Sequence, residues 1–222
     1  MIAQKGGAET LSGTFMAFAS LAYQKCIKDK ESGKVLIDEG NSYSAYAIEV
    51  YIMTVTALEA FINEVISSLH GKQVERVPVE IFEDMDLKNK YYYFPLLYWG
   101  KTFNKNESLY ADFSCLIKVR NCFVHYKMDP EEERRYYKHL NNKKLLLTSV
   151  SSFTGKVSNA KAALWAYNTT CDMAHKLIEF GDDRTKIHWG SMLSNFTKIS
   201  DSVDVIRNTE TGKTVHGIHI IG

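Results

Sequence analysis

Prolines are scarce in this sequence, with three among 222 residues. So few breakers, together with abundant Leu, Ala, Lys and Glu, favour helices over strands. Cysteines are few as well. Cys26, Cys115, Cys122 and Cys171 form no CxxC pair and have no histidine at zinc-ligand spacing beside them. That argues against a zinc site or a disulfide framework and fits reduced thiols in the cytosol. No metal and no cofactor is expected. An excess of one charge is also missing: 27 basic against 26 acidic residues leaves a net charge of +1. A nucleic acid or a membrane would therefore have to be met by a local patch. A long hydrophobic run is missing too. The most apolar stretch, 45–58, contains Glu49 and is followed by Glu59. Its uninterrupted span falls short of the ~20 residues that cross a bilayer, so no membrane partner is expected. Residues 1–7 are polar and show no signal-peptide pattern, so the expected location is cytoplasmic.

What is present is helical periodicity. The length suits one domain with a sizeable core and a small appendage. Residues 8–30 place apolar side chains at helical spacing. A segment with two glycines follows, and its short apolar triplet reads as strand or extended loop. Residues 43–70 are apolar on nearly every side, as a central helix would be, with Gly71 as the stop. A short helix is expected after Pro78, and an aromatic-rich helix over "DLKNKYYYFPLLYWG" that breaks near Pro95. Further helices are expected over 107–127, from Pro130 with Asp129 as cap, and over 157–181. After residue 184 the pattern alternates around "TETG", as in a β-hairpin. The fold class is therefore all-α. A bundle of five to six helices over 1–183 carries a C-terminal extension over 184–222, either a β-hairpin or an extended tail.

One helix carries an oddity. On a wheel of about 100° per residue, Phe113, Leu116, Ile117, Phe123 and Val124 share a face, and Arg120 falls in its middle. Arginine is almost never fully buried without a partner. Either Arg120 pairs with Glu59 or Glu64 of the central helix, or the face is open there and Arg120 points into a site. Asn121 and His125 are four apart and share one edge. Arg120 and His125 are about 140° apart around the axis and about 7.5 Å along it. One straight helix does not easily close both onto one small group. Two copies packed about a two-fold axis can.

The stretch from Arg120 to His125 has the form R-polar-x-x-x-H. With "SLYADFSCLIKVRNCFVHYK" around it, it resembles the signature helix of the HEPN superfamily, the R-x4-6-H helical domains of prokaryotic ribonuclease toxins and defence proteins. "TALEAFINEV" at 56–65 resembles the family's first core helix, with Glu59 and Asn63 in typical places, and "LKNKYYYFPLLYWGKTF" resembles the intervening segment. The resemblance covers about 43–180. It implies a homodimeric bundle in which two motifs meet in a cleft and cut RNA without metal, in a bacterial toxin or anti-phage defence role. It makes Arg120 and His125 catalytic and Asn121 the supporting polar residue. An antitoxin or regulatory partner is also implied. Some antitoxin-paired members carry a modified tyrosine two residues after the histidine. Here Tyr126 follows His125 directly, so that route of control does not carry over. A catalytically inactive HEPN-like module for dimerisation or RNA binding is the alternative.

The residue types suit the chemistry. Metal-free RNA cleavage uses the 2′-OH as nucleophile and leaves a 2′,3′-cyclic phosphate. Imidazole suits the proton transfer, and guanidinium binds phosphate oxygens bidentately while keeping its charge. Asn121 can orient His125 or bond the phosphate. Lys118, Tyr126, Lys127, Arg134, Arg135 and Lys138 lie in the chain's main basic concentration and are the candidate RNA contacts. Solvated bases toward helix C-termini explain the same pattern. The aromatics Tyr91–Phe94, Tyr98 and Trp99 fit packing better than base stacking. "TGKT" at 211–214 lacks the phosphate-loop glycine, since Arg207 stands in its place. His216 and His219 would point to opposite faces of a strand and make a poor metal pair.

Overall fold

The computed structural model describes residues 10–31, 37–38, 41–69, 80–125, 130–207 and 214–221. Among these the chain is a helical bundle ending in a two-stranded hairpin. Six helices have 13 residues or more: α1 (Leu11–Glu31), α2 (Tyr46–Leu69), α4 (Leu87–Trp99), α5 (Ser108–His125), α6 (Pro130–Asn142) and α8 (Ala160–Phe180). Three short helices join them: α3 (Glu80–Glu83), α7 (Phe153–Val157) and α9 (Asp183–Gly190). Between α1 and α2, β1 (Ile37–Asp38) and β2 (Asn41–Ser42) pair antiparallel. Of the glycine-flanked segment, Ile37 of the apolar triplet is thus in a strand, while Val35 and Leu36 lie outside the described residues. The stops and caps expected at Gly71, Pro78, Asp129 and "TETG" lie outside the described residues.

The bundle forms around α2. It packs against α1, α4, α5 and α8. Its Tyr51, Leu58, Phe61 and Ile62 are fully buried. This corrects the expectation that the apolar stretch is too short for a bilayer. The helix over Tyr46–Ser68 passes that test by length and composition, because Glu49, Glu59 and Glu64 are spread along it. Its packing is that of a core helix, with 56% of the window buried by the rest of the bundle.

Pro95 does not break α4. The helix runs through it for another turn and stops at Gly100, whose φ of 67° is the left-handed conformation that ends helices. Gly100 N–H donates to Leu96 C=O and Lys101 N–H to Pro95 C=O. Proline removes one donor from the ladder. The Thr102 hydroxyl supplies one nearby, donating to Tyr92 C=O at 2.6 Å. Aromatic packing holds the turn in place: Phe94 lies edge-on to Phe82 and to Trp99. Tyr91 and Phe94 are fully buried, which bears out their reading as packing residues.

The helix expected over 157–181 is α8, which begins at Ala160, three residues later than expected, and ends at Gly181 as expected. Asn159 sets that start. Its backbone is extended, and its side-chain oxygen accepts from Ala162 N–H at 3.0 Å. Its amide donates to Leu145 C=O at 2.8 Å and to Lys156 C=O at 3.1 Å. The residue is fully buried. Asn159→Ala removes the cap and strands a buried carbonyl. We expect it to lower unfolding free energy by about 1–3 kcal/mol in a urea titration.

The helical body continues beyond residue 183. Trp189 of α9 and Phe196 both pack on Phe61 of α2, at ring-centroid distances of 5.7 and 4.8 Å. The alternating pattern begins only at β3 (Lys198–Arg207), which pairs antiparallel with β4 (Thr214–Ile221). Asn168 of α8 ties this hairpin to the bundle by exchanging two hydrogen bonds with the backbone of Ile199.

Candidate active site

α5 positions the three candidate catalytic residues. It starts after the turn at 105–107 and runs unbroken to His125. Phe113, Cys115, Leu116 and Val119 are fully buried. The buried arc is wider than the wheel suggested, taking in Cys115, Val119 and Cys122, because α2, α7 and α8 all pack on it. The last turn leaves the core. Val124 is 49% exposed and His125 is exposed, while Phe123 keeps contact through its ring, 5.5 Å from Tyr51.

Arg120 sits at this exit, half-buried. The ion-pair alternative does not hold among the described residues. Glu64 accepts from the Ser12 backbone N–H at 3.0 Å and from its hydroxyl at 2.6 Å, and Glu59 is exposed. Neither is paired with Arg120. Arg120 Nε is shut off from solvent yet donates to no group among the described residues. A buried donor left unsatisfied costs about 1–3 kcal/mol. Asn121 is half-buried on the far edge of the helix, in line with His125. No hydrogen bond among the described residues links Arg120, Asn121 and His125. An unbroken α-helix keeps Arg120 and His125 about 140° apart, so one chain does not assemble the three into a single cluster.

The basic residues separate into two groups. α6 folds back along α5, and its His139 Nε2 lies 2.7 Å from Asp112 Oδ1, with Lys143 Nζ donating to Asp112 Oδ2 at 3.0 Å. His139 and Lys143 are therefore engaged within the fold. Arg134, Arg135 and Lys138 are exposed, and Lys118 is half-buried. Tyr126 and Lys127 lie outside the described residues. Arg135 and Lys138 line a cavity of about 430 Å³ between α5 and α6, together with Lys105, Tyr110, Tyr136 and His139.

Nothing in the sequence pattern singles out Lys105, Tyr110 or Tyr136. Their meeting depends on α6 docking on α5, and the anchoring acid, Asp112, is on the apolar side of the earlier helix. The four thiols are buried. Burial pushes Cys26 up to about 12, and it raises Cys115 and Cys171 further above the ordinary thiol range. Such thiols stay protonated at neutral pH and are not nucleophiles.

No family model, curated protein or solved structure matches this chain. The functional reading therefore rests on its own residues and on their likeness to the HEPN signature. Two of the segments that carry that likeness touch: Lys90 Nζ of α4 donates to Asn63 Oδ1 of α2 at 3.0 Å.

Proposed function

We propose that this protein is a metal-independent endoribonuclease of HEPN type, acting in the cytoplasm as a bacterial toxin or anti-phage effector. Its active site is composite, formed where the exposed ends of two α5 helices meet in a homodimer. Arg120 binds and stabilises the scissile phosphate, His125 transfers a proton, and Asn121 orients the histidine or the phosphate. The observation that carries this reading is Arg120. It is a half-buried cation with no carboxylate paired to it among the described residues, in the middle of an apolar face that opens at Val124 and His125. A second copy seated there supplies apolar cover and brings the two halves together. An antitoxin or other regulatory partner belongs to the same reading.

The test is direct. Purified protein is incubated with single-stranded RNA in EDTA, and the fragments are examined for 2′,3′-cyclic phosphate and 5′-hydroxyl ends. Light scattering measures the mass of the same sample. Intact RNA, a strict need for divalent metal, or a strictly monomeric protein would overturn the proposal. The second reading is an inactive HEPN-like module used for dimerisation or RNA binding, in which Arg120 and His125 stay apart as they are within one chain. Inert wild-type protein that still dimerises or binds RNA would support it.

A further inference from the structure

The cleft between α5 and α6 has the features of a ligand site in its own right. Its volume of about 430 Å³ lies within the roughly 300–1,000 Å³ of small-molecule sites. Lys105, Arg135 and Lys138 give it three permanent positive charges from two separate walls, and all three are exposed. None of them is ion-paired among the described residues. Lys105 Nζ rests 3.9 Å from the centre of the Tyr92 ring, a contact that leaves its charge uncancelled.

No carboxylate is among the described residues that line the cavity. The acid behind its wall, Asp112, has one oxygen on His139 and the other on Lys143. That arrangement matters electrostatically. A free carboxylate there would offset one cation, whereas the two bonds neutralise it and leave the cleft positive. The same bonds fix the His139 ring, so Nδ1 is the nitrogen left to meet a ligand.

The walls are not only charged. Tyr110 and Tyr136 add aromatic surface, and Ser114 and Asn142 add short polar groups. Tyr110 is held by Phe103 and Phe113, with ring centroids 6.2 and 5.9 Å away. Burial raises its phenol above the ordinary range, and its hydroxyl donates to Lys88 C=O at 3.5 Å, so it is the ring that is left for a ligand. Cations for a phosphate, ring surface for a base and small polar groups for a sugar are the complement of a nucleotide.

We propose that the α5–α6 cleft binds a nucleoside monophosphate unit, with Arg135, Lys138 and Lys105 on the phosphate and Tyr110 and Tyr136 against the base. This site is separate from the Arg120 end of α5. Ser114 and His125 lie on the same stripe of the helix, about 16 Å apart along its axis. The unit therefore comes from one of two sources: a free mononucleotide, or a nucleotide within an RNA strand laid along that stripe. The second source rests on the RNA-cleaving reading, and the first does not.

The experiment uses full-length His125→Ala protein, so that RNA stays intact whether or not the wild type cuts it. Adenosine and uridine 5′-monophosphate, and a short single-stranded RNA, are titrated by calorimetry. The titrations are repeated in the Arg135→Ala/Lys138→Ala background and separately with Lys105→Ala. Lys161→Ala, an exposed lysine of α8, controls for the general loss of positive charge. Thermal melts check that each variant is folded. Each lost charge-assisted contact is expected to weaken binding about tenfold.

Weakened mononucleotide binding supports the site and identifies a free ligand. Weakened RNA binding without mononucleotide binding supports it and identifies the strand. The proposal is overturned if neither ligand binds, if the cleft variants bind as tightly as the parent, or if Lys161→Ala weakens binding as much as they do.

Discussion

His125→Ala should lower the rate of RNA cleavage in EDTA by about 10²–10⁴-fold while leaving the protein folded. The size follows from the role. A positioned side chain that moves a proton in the transition state contributes about that factor, and two other imidazoles among the described residues are engaged elsewhere. His139 is held by Asp112 in the α5–α6 cleft, and His175 bonds Phe196 C=O. The specificity follows from burial. His125 is exposed at the last turn of α5 and packs into no part of the core, so truncating it should change stability by no more than about 0.5 kcal/mol. A fluorogenic RNA oligonucleotide gives the rate, and a thermal melt gives the stability. A variant that is folded and still cuts like wild type would remove His125 from the mechanism.

Much of the fold was legible because helix periodicity survives in the sequence. α2 announced itself as the central helix by being apolar all round, and it is the helix the others cover. The errors have local causes. Pro95 looked like a break because one missing donor is visible in a sequence, while the Thr102 hydroxyl and the packing of Phe94 that keep the helix running are tertiary. The helix expected over 157–181 starts three residues late because Asn159 caps it, and the burial of that cap appears only when Leu145 is brought beside it. α9 was hidden because the change in pattern after 184 pointed to strands, although Trp189 returns to the core.

The site divides in the same way. Arg120 was conspicuous on a wheel because one helix contains all the information needed. The α5–α6 cleft was not, since Asp112 meets residues 27 and 31 positions later in the chain. The wheel also left open whether Arg120 pairs with Glu64. Ser12, from a helix far away in sequence, takes that carboxylate instead.

Arg120→Ala and His125→Ala proteins, each inactive alone, should recover about a quarter of wild-type cleavage when the two chains are co-expressed. Random pairing makes about half of the dimers mixed. In each mixed dimer the Arg120 of one chain faces the His125 of the other, so one of two such pairs is intact. Arg120→Ala by itself should cost about 10²–10³-fold, the usual loss when a group that stabilises transition-state charge is removed. Little stability should be lost with it. The guanidinium makes no ion pair among the described residues, and truncation removes a buried Nε donor that has no acceptor among them. Lysine should not substitute well, because a point charge cannot reproduce bidentate contact with a phosphate. Recovery in the mixed protein means that residues from different chains form one site. A mixture as inert as its parents, with mixed dimers verified by two affinity tags, would mean that Arg120 does not serve the partner's histidine. The wheel of α5 explains why the distinction is sharp. Two groups about 140° apart on one rigid helix have little chance of meeting on a single phosphate, whereas two helices related by a two-fold axis present one of each to the same cleft.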